Sequence, residues 1–313
     1  MRLIMLGTGH ALVTRCYNAC FVLEDDASQD TKGSRAPQDA KDPQDAKGPQ
    51  ALQDAKDPQD TNTSQSTSCF LVDAGGGNTV MTQLEQAYIN WRRIHELFIT
   101  HTHIDHLLGA VWMLRWVCHH MNEGDYEGNF DVWGNDDVID ALESLLHLLL
   151  RPQETRFLGN RVQLHTVKDG QDCLILGRKV SFFDIHSSGA KQFGFVMEMD
   201  KVSSATAKRL LACCGDEPFK EENRSYIQGA TWLIHEAFCL HSDIEKYDPH
   251  PINHGSVAEA CDIATSLGVK NLVLYHTEDD DLPHRKERYL KEGRAYFSGN
   301  LYIPDDLEVI DLH

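Results

Sequence analysis

The stretch THTHIDHLLG, residues 100–109, places four side chains of metal-ligand type within six positions: His101, His103, Asp105 and His106. The apolar run HELFIT (95–100) directly precedes the cluster and predicts a strand. Residues 106–121 carry apolar side chains at helical spacing and predict a helix. The cluster therefore lies where a strand passes into a helix, a place where active-site groups collect in α/β proteins.

The spacing within the cluster indicates more than one metal ion. His101 and His103 are two residues apart, so their side chains point the same way in an extended segment. Asp105 and His106 follow in the turn and can face a second point nearby. Imidazole and carboxylate groups bind zinc and similar ions, and pairs of such ions form hydrolytic centres. The alternative, a polar turn of unpaired histidines, is disfavoured because four ligand-type residues adjoin an apolar strand.

The composition limits what the chain can bind. Its 313 residues include 48 acidic and 29 basic side chains, which give a net charge of -19. Such a surface repels polyphosphate backbones at long range and argues against a general nucleic-acid binder. The nine cysteines form no CxxC pair and mostly lie in apolar segments, as free thiols do in the reducing cytoplasm. Because neither a signal peptide nor a transmembrane run is predicted, we expect a cytoplasmic protein without membrane partners.

Residues 27–68 differ from the rest of the chain. They repeat PQDAK and DPQD and contain almost no aromatic or branched apolar side chains. Such a segment cannot bury enough apolar surface to offset its ordering entropy, so we predict a disordered low-complexity insertion. The flanking runs CFVLED (20–25) and CFLVDAG (69–75) predict a hairpin with the insertion at its tip. Loop tips tolerate such additions at little cost.

The remaining chain alternates strand and helix patterns, which predicts an α/β protein whose sheets are covered by helices. Further strands are predicted at RLIML (2–6), FDVW (130–133), 161–167, 179–186, 193–199, 208–214, 230–238 and 271–276. Further helices are predicted at 79–90, 135–150, 255–267 and near 284–297.

The hexapeptide HTHIDH (101–106) is similar to the HxHxDH signature of the metallo-β-lactamase superfamily. Other segments resemble, in the same order, motifs of its ribonuclease Z-like branch: LGTGHALVTRCYNACFVLED (6–25), VDAGGGN (72–78), CCGDEP (213–218), WLIHEAF (232–238), NHGSVAEA (253–260) and LVLYHT (272–277). They cover nearly the whole chain outside the insertion. The resemblance implies a single domain over residues 1–313 with an αββα sandwich, in which two mixed β-sheets are flanked by helices.

The resemblance also implies that seven side chains hold two divalent ions: His101, His103, Asp105, His106, His186, Asp216 and His276. The first two histidines and a mid-chain histidine would hold one ion. The Asp105–His106 pair and His276 would hold the other, and Asp216 would bridge them. His186 and His165 both end predicted strands; we favour His186, because GAKQFGFVME after it resembles the Gly-Phe/Tyr strand of the family. Zinc is the expected metal, with manganese and iron as alternatives.

This site implies a hydrolytic mechanism. A water bridging two divalent ions has a pKa of roughly 7, and the resulting hydroxide can attack phosphorus or an acyl carbon. The HEA and HGS motifs suggest His254 as proton donor to a leaving alkoxide, with Glu236 orienting its ring and raising its pKa. Asp105, His254 and Glu236 are therefore the candidate catalytic residues of a ribonuclease Z-like phosphodiesterase. The alternative roles are a helix cap for His254 and a salt-bridge partner for Glu236.

The interval between His186 and Asp216 departs from the branch. Only 29 residues, 187–215, lie between them, whereas ribonuclease Z carries there a long basic arm that grips the tRNA elbow. A small or single-stranded phosphodiester is therefore the expected substrate, and tRNA is disfavoured. The alternatives are a hydrolase of another ester (a thioester, sulfate ester or lactone) and a non-catalytic metal-binding protein. His254 with Glu236 favours the phosphodiester over a thioester, because a thiolate leaving group needs no proton donor.

The resemblance further implies a homodimer through helices near the site. Trp112 and Trp116 are four residues apart on the predicted helix and share a face that would suit such an interface. The alternative is that this face packs on the sheet.

Overall fold

A computed structural model describes residues 1–25, 68–201 and 208–313 of the chain. The predicted insertion lies outside the described residues, apart from Ser68. Within the described ranges the strands form two seven-stranded sheets.

The first sheet is built mainly from the N-terminal half of the chain. Its strands are β1 Arg2–Gly7, β2 Cys20–Glu24, β3 Cys69–Val72, β4 Ile94–Phe98, β5 Phe130–Gly134, β6 Val162–Thr166 and, near the C-terminus, β14 Val309–Asp311. The order across the sheet is β14-β1-β2-β3-β4-β5-β6. Pairing is antiparallel from β14 to β3 and parallel from β3 to β6, so the sheet is mixed.

The second sheet is built from the C-terminal half. Its strands are β7 Asp172–Ile175, β8 Arg178–Asp184, β9 Phe193–Glu198, β10 Leu210–Cys213, β11 Trp232–Glu236, β12 Asn271–Tyr275 and β13 Asn300–Tyr302. Their spatial order is β13-β12-β11-β10-β9-β8-β7. The strands from β7 to β10 pair antiparallel, and those from β10 to β13 pair parallel.

Eight α-helices connect the described strands. The longer ones are α1 Thr79–Gln86, α2 Ile104–Glu123, α3 Asp136–Leu149, α7 Val257–Ser266 and α8 Leu282–Gly293. Three single-turn helices lie between them: α4 Pro152–Thr155, α5 Arg224–Ile227 and α6 Ile244–Tyr247.

Alternating side chains of the strands separate three apolar layers. In β1, Leu3 and Met5 pack between the two sheets, whereas Ile4 and Leu6 pack toward the helices that cover the first sheet. On the far side, strand residues such as Leu233 pack against α7 and α8. Helices thus cover the outer face of each sheet, and the predicted αββα sandwich is confirmed.

Most predicted elements are present within about two residues of their expected bounds, and the predicted hairpin is confirmed because β2 and β3 pair antiparallel. The strands β7, β13 and β14 were not predicted. Each has only three or four residues and lies at or next to a sheet edge, where few side chains are buried. Short strands with exposed side chains lack the apolar alternation on which the prediction depends.

Several surface and core features bear on the other expectations. All nine cysteines are free thiols, seven of them buried. Trp112 and Trp116 are 45% and 42% exposed, so the alternative that they pack on the sheet is wrong. The homodimer expected from the resemblance stays a prediction. Among the described helices, none combines the length and apolar character needed to cross a membrane.

A carboxylate held away from water lies on β4, remote from the histidine cluster. Burial raises the pKa of Glu96 to about 7, repulsion from Asp131 adds to this, and the Trp133 indole N–H, 2.7 Å from Oε2, opposes it. Unfolding restores an ordinary pKa to Glu96. Its carboxyl is therefore ionised above about pH 4.5 in the unfolded chain, but it stays protonated up to about pH 7 in the folded chain. The folded state therefore binds more protons across this interval, and stability falls as the pH rises through it.

We therefore expect Glu96→Gln to stabilise the protein at pH 8 and to change little at pH 4. The amide oxygen can still accept the Trp133 N–H, while the cost of the buried charge is removed. At about 1.4 kcal/mol per pKa unit, the gain in free energy of unfolding at pH 8 should be about 1–3 kcal/mol. Denaturant titrations at both pH values measure it, with the exposed Glu85→Gln as control. A gain at pH 4 equal to that at pH 8 would contradict the electrostatic explanation.

Candidate metal centre

The histidine cluster lies where β4 leads into α2. β4 ends at Phe98, and α2 begins at Ile104 with His103 as its N-cap residue. Asp105 and His106 lie in the first turn of α2. The side chains of His101, Asp105 and His106 are buried, whereas His103 is exposed.

The second sheet supplies two further groups at the same edge of the sandwich. Asp216 follows β10 after a glycine turn, and His276 directly follows β12. Because β10, β11 and β12 are parallel, their carboxyl ends meet at one edge. His276 has a φ of 56°, so the chain turns sharply at the ligand-type residue itself.

Asp216 occupies the centre of the cluster. Its Oδ2 atom lies 3.5 Å from His101 Nε2, 3.2 Å from His106 Nε2 and 3.3 Å from His276 Nε2. Asp105 Oδ2 lies 3.3 Å from His106 Nε2 and 3.7 Å from His276 Nε2. The ligand-type atoms form two groups, with all atoms in a group within 4.8 Å of one another: His101, His103 and Asp216; and Asp105, His106 and His276.

Four inward-facing atoms of the cluster are buried and have no hydrogen-bond partner: His101 Nε2, Asp105 Oδ2, His106 Nε2 and His276 Nε2. They approach one another without hydrogen-bond geometry. A buried polar atom left unpaired costs about 1–3 kcal/mol, and coordination of a cation removes that cost. Imidazole nitrogens and carboxylate oxygens are common ligands of divalent metals. The cluster therefore fits divalent metal ions.

A buried carboxylate orients the cluster from behind. Asp73 Oδ2 lies 2.8 Å from His106 Nδ1, which leaves Nε2 of that ring directed into the cluster. The Thr100 backbone N–H and hydroxyl donate to Asp73, and the same hydroxyl lies 2.9 Å from His101 Nδ1. Such contacts to the far nitrogen of a ligating histidine fix its ring orientation. Asp73 was missed by sequence reasoning, although it lies within the quoted VDAGGGN turn.

The electrostatics of the cluster favour an ionised central carboxylate. Burial opposes ionisation of Asp216, but His101, His276 and His106 outweigh it and hold the pKa of its carboxyl well below its usual range. Gln192 Nε2 donates to Asp216 Oδ1 at 2.5 Å and fixes the carboxylate from its other side. Gln192 was also missed, and nothing in its sequence context would have identified it.

The structure does not bring His186, the predicted third histidine, into either group. His186 follows β8, is exposed and has a φ of 57°. Its backbone N–H donates to Asp184 and its carbonyl accepts from Lys220 Nζ. The competing His165 lies in β6, 2.6 Å from Asp131 and stacked on Trp133, with both of these contacts outside the metal centre.

His254 lies beside the cluster, with a ring centroid 4.9 Å from that of His276. Its Nδ1 is 2.8 Å from the backbone carbonyl of Asp216 and 3.8 Å from Glu236 Oε2. Burial, together with His276, lowers the pKa of His254 to about 4. The prediction that Glu236 raises this pKa is therefore wrong, because burial dominates and the carbonyl rather than the carboxylate holds Nδ1.

Glu236 instead fixes the backbone around His254. Its two carboxyl oxygens accept the N–H groups of Gly255, at 2.8 Å, and Phe238, at 3.1 Å. Burial raises the pKa of Glu236 well above its usual range. The side chain thus fixes the backbone of the residue after His254 and the backbone of Phe238. The Phe238 ring stacks on the His254 ring, with the two centroids 5.1 Å apart.

A further histidine that sequence reasoning missed borders the same space. The His10 ring centroid lies 6.3 Å from that of His276 and 4.5 Å from that of Phe238. Burial, followed by the charge of His276, lowers the pKa of His10 to about 4. His10 belongs to the quoted LGTGHAL segment, and the isolated histidine there carried no recognisable signal of its own.

Comparisons with known proteins identify relatives of this chain and proteins that share its fold. Residues 69–277 match the model of the beta-lactamase superfamily domain. A ribonuclease Z of Thermococcus onnurineus is 23% identical over 279 residues, which cover 77% of this chain and 84% of that protein. The metallo-beta-lactamase fold protein YhfI from Bacillus subtilis superposes with a TM-score of 0.69 at 14% identity, covering 99% of this chain and 98% of that one. The short form of human tRNase Z gives 0.64 at 18% identity, with 99% of each chain covered.

Proposed function

The chain belongs to the beta-lactamase superfamily and is a metal-dependent hydrolase, and from this premise we propose that the bond it cleaves is a phosphodiester. The proposed enzyme is ribonuclease Z-like and uses two divalent metal ions. The observation that carries the proposal is the convergence of buried, unpaired histidine and aspartate atoms beside His254, an imidazole that belongs to neither ligand group.

The two groups of donor atoms support two ions. His101 and His103 would hold one ion, and Asp105, His106 and His276 would hold the other. His186 lies outside both groups in the structure, and we propose that it completes the first ion's coordination when metal binds. Asp216 would bridge them, because its Oδ2 lies within 3.5 Å of histidines from both groups. Divalent cations bound there would act as Lewis acids on phosphoryl oxygens and lower the pKa of water.

His254 would carry the proton of the leaving group. Its Nδ1–H donates to the carbonyl of Asp216, so Nε2 of the neutral ring is a proton acceptor. Nε2 would first take up a proton from solvent and then give that proton to the leaving oxygen. Glu236 would act as a positioning residue, since it accepts the backbone N–H groups of Gly255 and Phe238 and does not hydrogen-bond the His254 ring. A positioned imidazole of this kind serves bonds with poor leaving groups, such as alkoxides.

The short interval after His186 supports a compact substrate. Of the 29 residues between His186 and Asp216, ten belong to β9 and β10. The remaining residues are too few for a long folded arm. We therefore propose a small or single-stranded phosphodiester as substrate instead of a folded tRNA.

The choice of the third histidine gives a direct prediction. We expect His186→Ala to lose close to one equivalent of metal, because the resemblance implies that His186 completes the coordination of the first ion, although it lies outside both groups in the structure. His165→Ala is the matched control, since His165 lies in β6 and pairs with Asp131 away from the metal centre, and this variant should keep the full metal content. Elemental analysis of both variants decides the assignment. Metal loss in His165→Ala with retention in His186→Ala would contradict it.

A substrate panel tests the proposed function. The metal-supplemented protein should hydrolyse bis(p-nitrophenyl) phosphate and dinucleotides faster than it hydrolyses thioesters or lactones. Chelation should abolish that turnover, and added zinc or manganese should restore it. Turnover of a thioester with none of any phosphodiester would replace the proposed function with the hydrolysis of another ester.

A further inference from the structure

His10 and His254 border the same space from two sides. The Phe238 ring contacts both imidazoles, with its centroid 4.5 Å from that of His10 and 5.1 Å from that of His254. Both also adjoin His276, whose ring centroid lies 6.3 Å from that of His10 and 4.9 Å from that of His254. His10 belongs to neither group of ligand-type atoms. It is only partly buried.

The position of His10 is fixed by its backbone. Its N–H donates to the carbonyl of Thr277, at 3.1 Å, and Thr277 directly follows His276. Its carbonyl accepts the side-chain amide of Asn18 at 2.9 Å. The histidine is therefore held next to the metal centre, and its ring is not on a freely moving loop.

The tautomers of the two imidazoles follow from their partners. The Leu12 backbone N–H lies 3.3 Å from His10 Nδ1 and can only donate, so Nδ1 accepts and the proton of the neutral ring is on Nε2. The Asp216 carbonyl lies 2.8 Å from His254 Nδ1 and can only accept, so that ring has its proton on Nδ1. In the part of the chain that the structure describes, His10 Nε2 has no hydrogen-bond partner. The two rings therefore present opposite groups at Nε2: a donor on His10 and an acceptor on neutral His254.

We propose that His10 donates its Nε2–H to a nonbridging oxygen of the bound phosphodiester, a role that rests on the proposed phosphodiesterase function. A phosphodiester carries its negative charge on those two oxygens, and this charge shifts during displacement at phosphorus. A preoriented donor in a partly desolvated site stabilises such charge. His254 acts on a different atom, the leaving oxygen, so loss of the two histidines should produce different patterns.

Three substitutions separate the hydrogen bond from packing. In His10→Gln the amide nitrogen can reach the position of Nε2, whereas in His10→Asn it matches Nδ1. In His10→Phe the ring remains against Phe238 but has no donor. We expect kcat/KM for bis(p-nitrophenyl) phosphate to fall about ten- to a hundredfold in the Asn and Phe variants, the range expected for one hydrogen bond to a charged group. His10→Gln should retain most of the activity, and metal content should be unchanged in all three.

Two further measurements complete the test. The fractional loss in His10→Phe should be the same for a dinucleotide as for the p-nitrophenyl ester, because the contacted oxygen is not the leaving one, and inorganic phosphate should inhibit this variant more weakly. Nitrogen-15 NMR of the parent protein without metal should show the Nε2–H tautomer for His10. Full activity of His10→Phe while the parent cleaves phosphodiesters would overturn the role of His10 and leave the proposed function intact. A metal-loaded parent that cleaves no phosphodiester would overturn both.

Discussion

Asp216→Asn should reduce the metal content below two equivalents and lower turnover of any substrate by about a thousandfold or more. The substitution keeps the size of the side chain and an oxygen for Gln192, but removes the negative charge that faces His101, His106 and His276. Bound metal ions contribute several kcal/mol of charge stabilisation in such reactions, and each 1.36 kcal/mol is tenfold in rate. Elemental analysis and kcat/KM on the same preparation measure both effects.

The matched control is Asp131→Asn. Asp131 also contacts a histidine, His165, but at the edge of the first sheet away from the metal centre. This variant should keep both its metal content and its turnover. If Asp216→Asn retained two equivalents of metal and full activity, the Asp216 carboxylate would be needed neither for metal binding nor for catalysis.

His254→Ala should slow hydrolysis of a dinucleotide by roughly a hundredfold to ten-thousandfold, the usual contribution of general acid catalysis. An alkoxide leaving group needs a proton, whereas p-nitrophenolate is stable as an anion. The same variant should therefore keep much of its rate on bis(p-nitrophenyl) phosphate, with metal content intact. Glu236→Gln should show a weaker form of this contrast, because the carboxylate holds the backbone and not the ring.

His250→Ala is the control for His254. It lies four residues earlier in the same loop and contacts Glu259 instead of the cluster. Its removal should leave the rate of hydrolysis unchanged for both substrates. Equal losses on both substrates in His254→Ala would mean that this histidine binds phosphate or supports the loop, and that it does not protonate the leaving group.

Local signals in the sequence predicted the elements and four clustered ligand-type residues, His101, His103, Asp105 and His106. Apolar periodicity located β4 and α2, whereas the motifs that resemble the ribonuclease Z-like branch identified Asp216 and His276.

The contacts between distant segments could not be predicted in the same way. Asp73 and Gln192 orient the cluster through side chains whose partners are far away in the chain. The predicted direction of the shift in the His254 pKa was wrong because burial and the neighbouring His276 lower this pKa, and a motif records neither of them. The position of His10 beside the metal centre depends on contacts with Phe238 and His276, which lie more than two hundred residues later in the chain.

The most direct test of a two-metal hydrolase is the metal content of the protein that performs the reaction. Protein purified without chelator and supplemented with zinc or manganese should contain about two equivalents per chain, and stepwise chelation should remove metal and phosphodiesterase activity together. A metal content near zero after supplementation, or full phosphodiesterase activity in protein stripped of metal, would contradict the account.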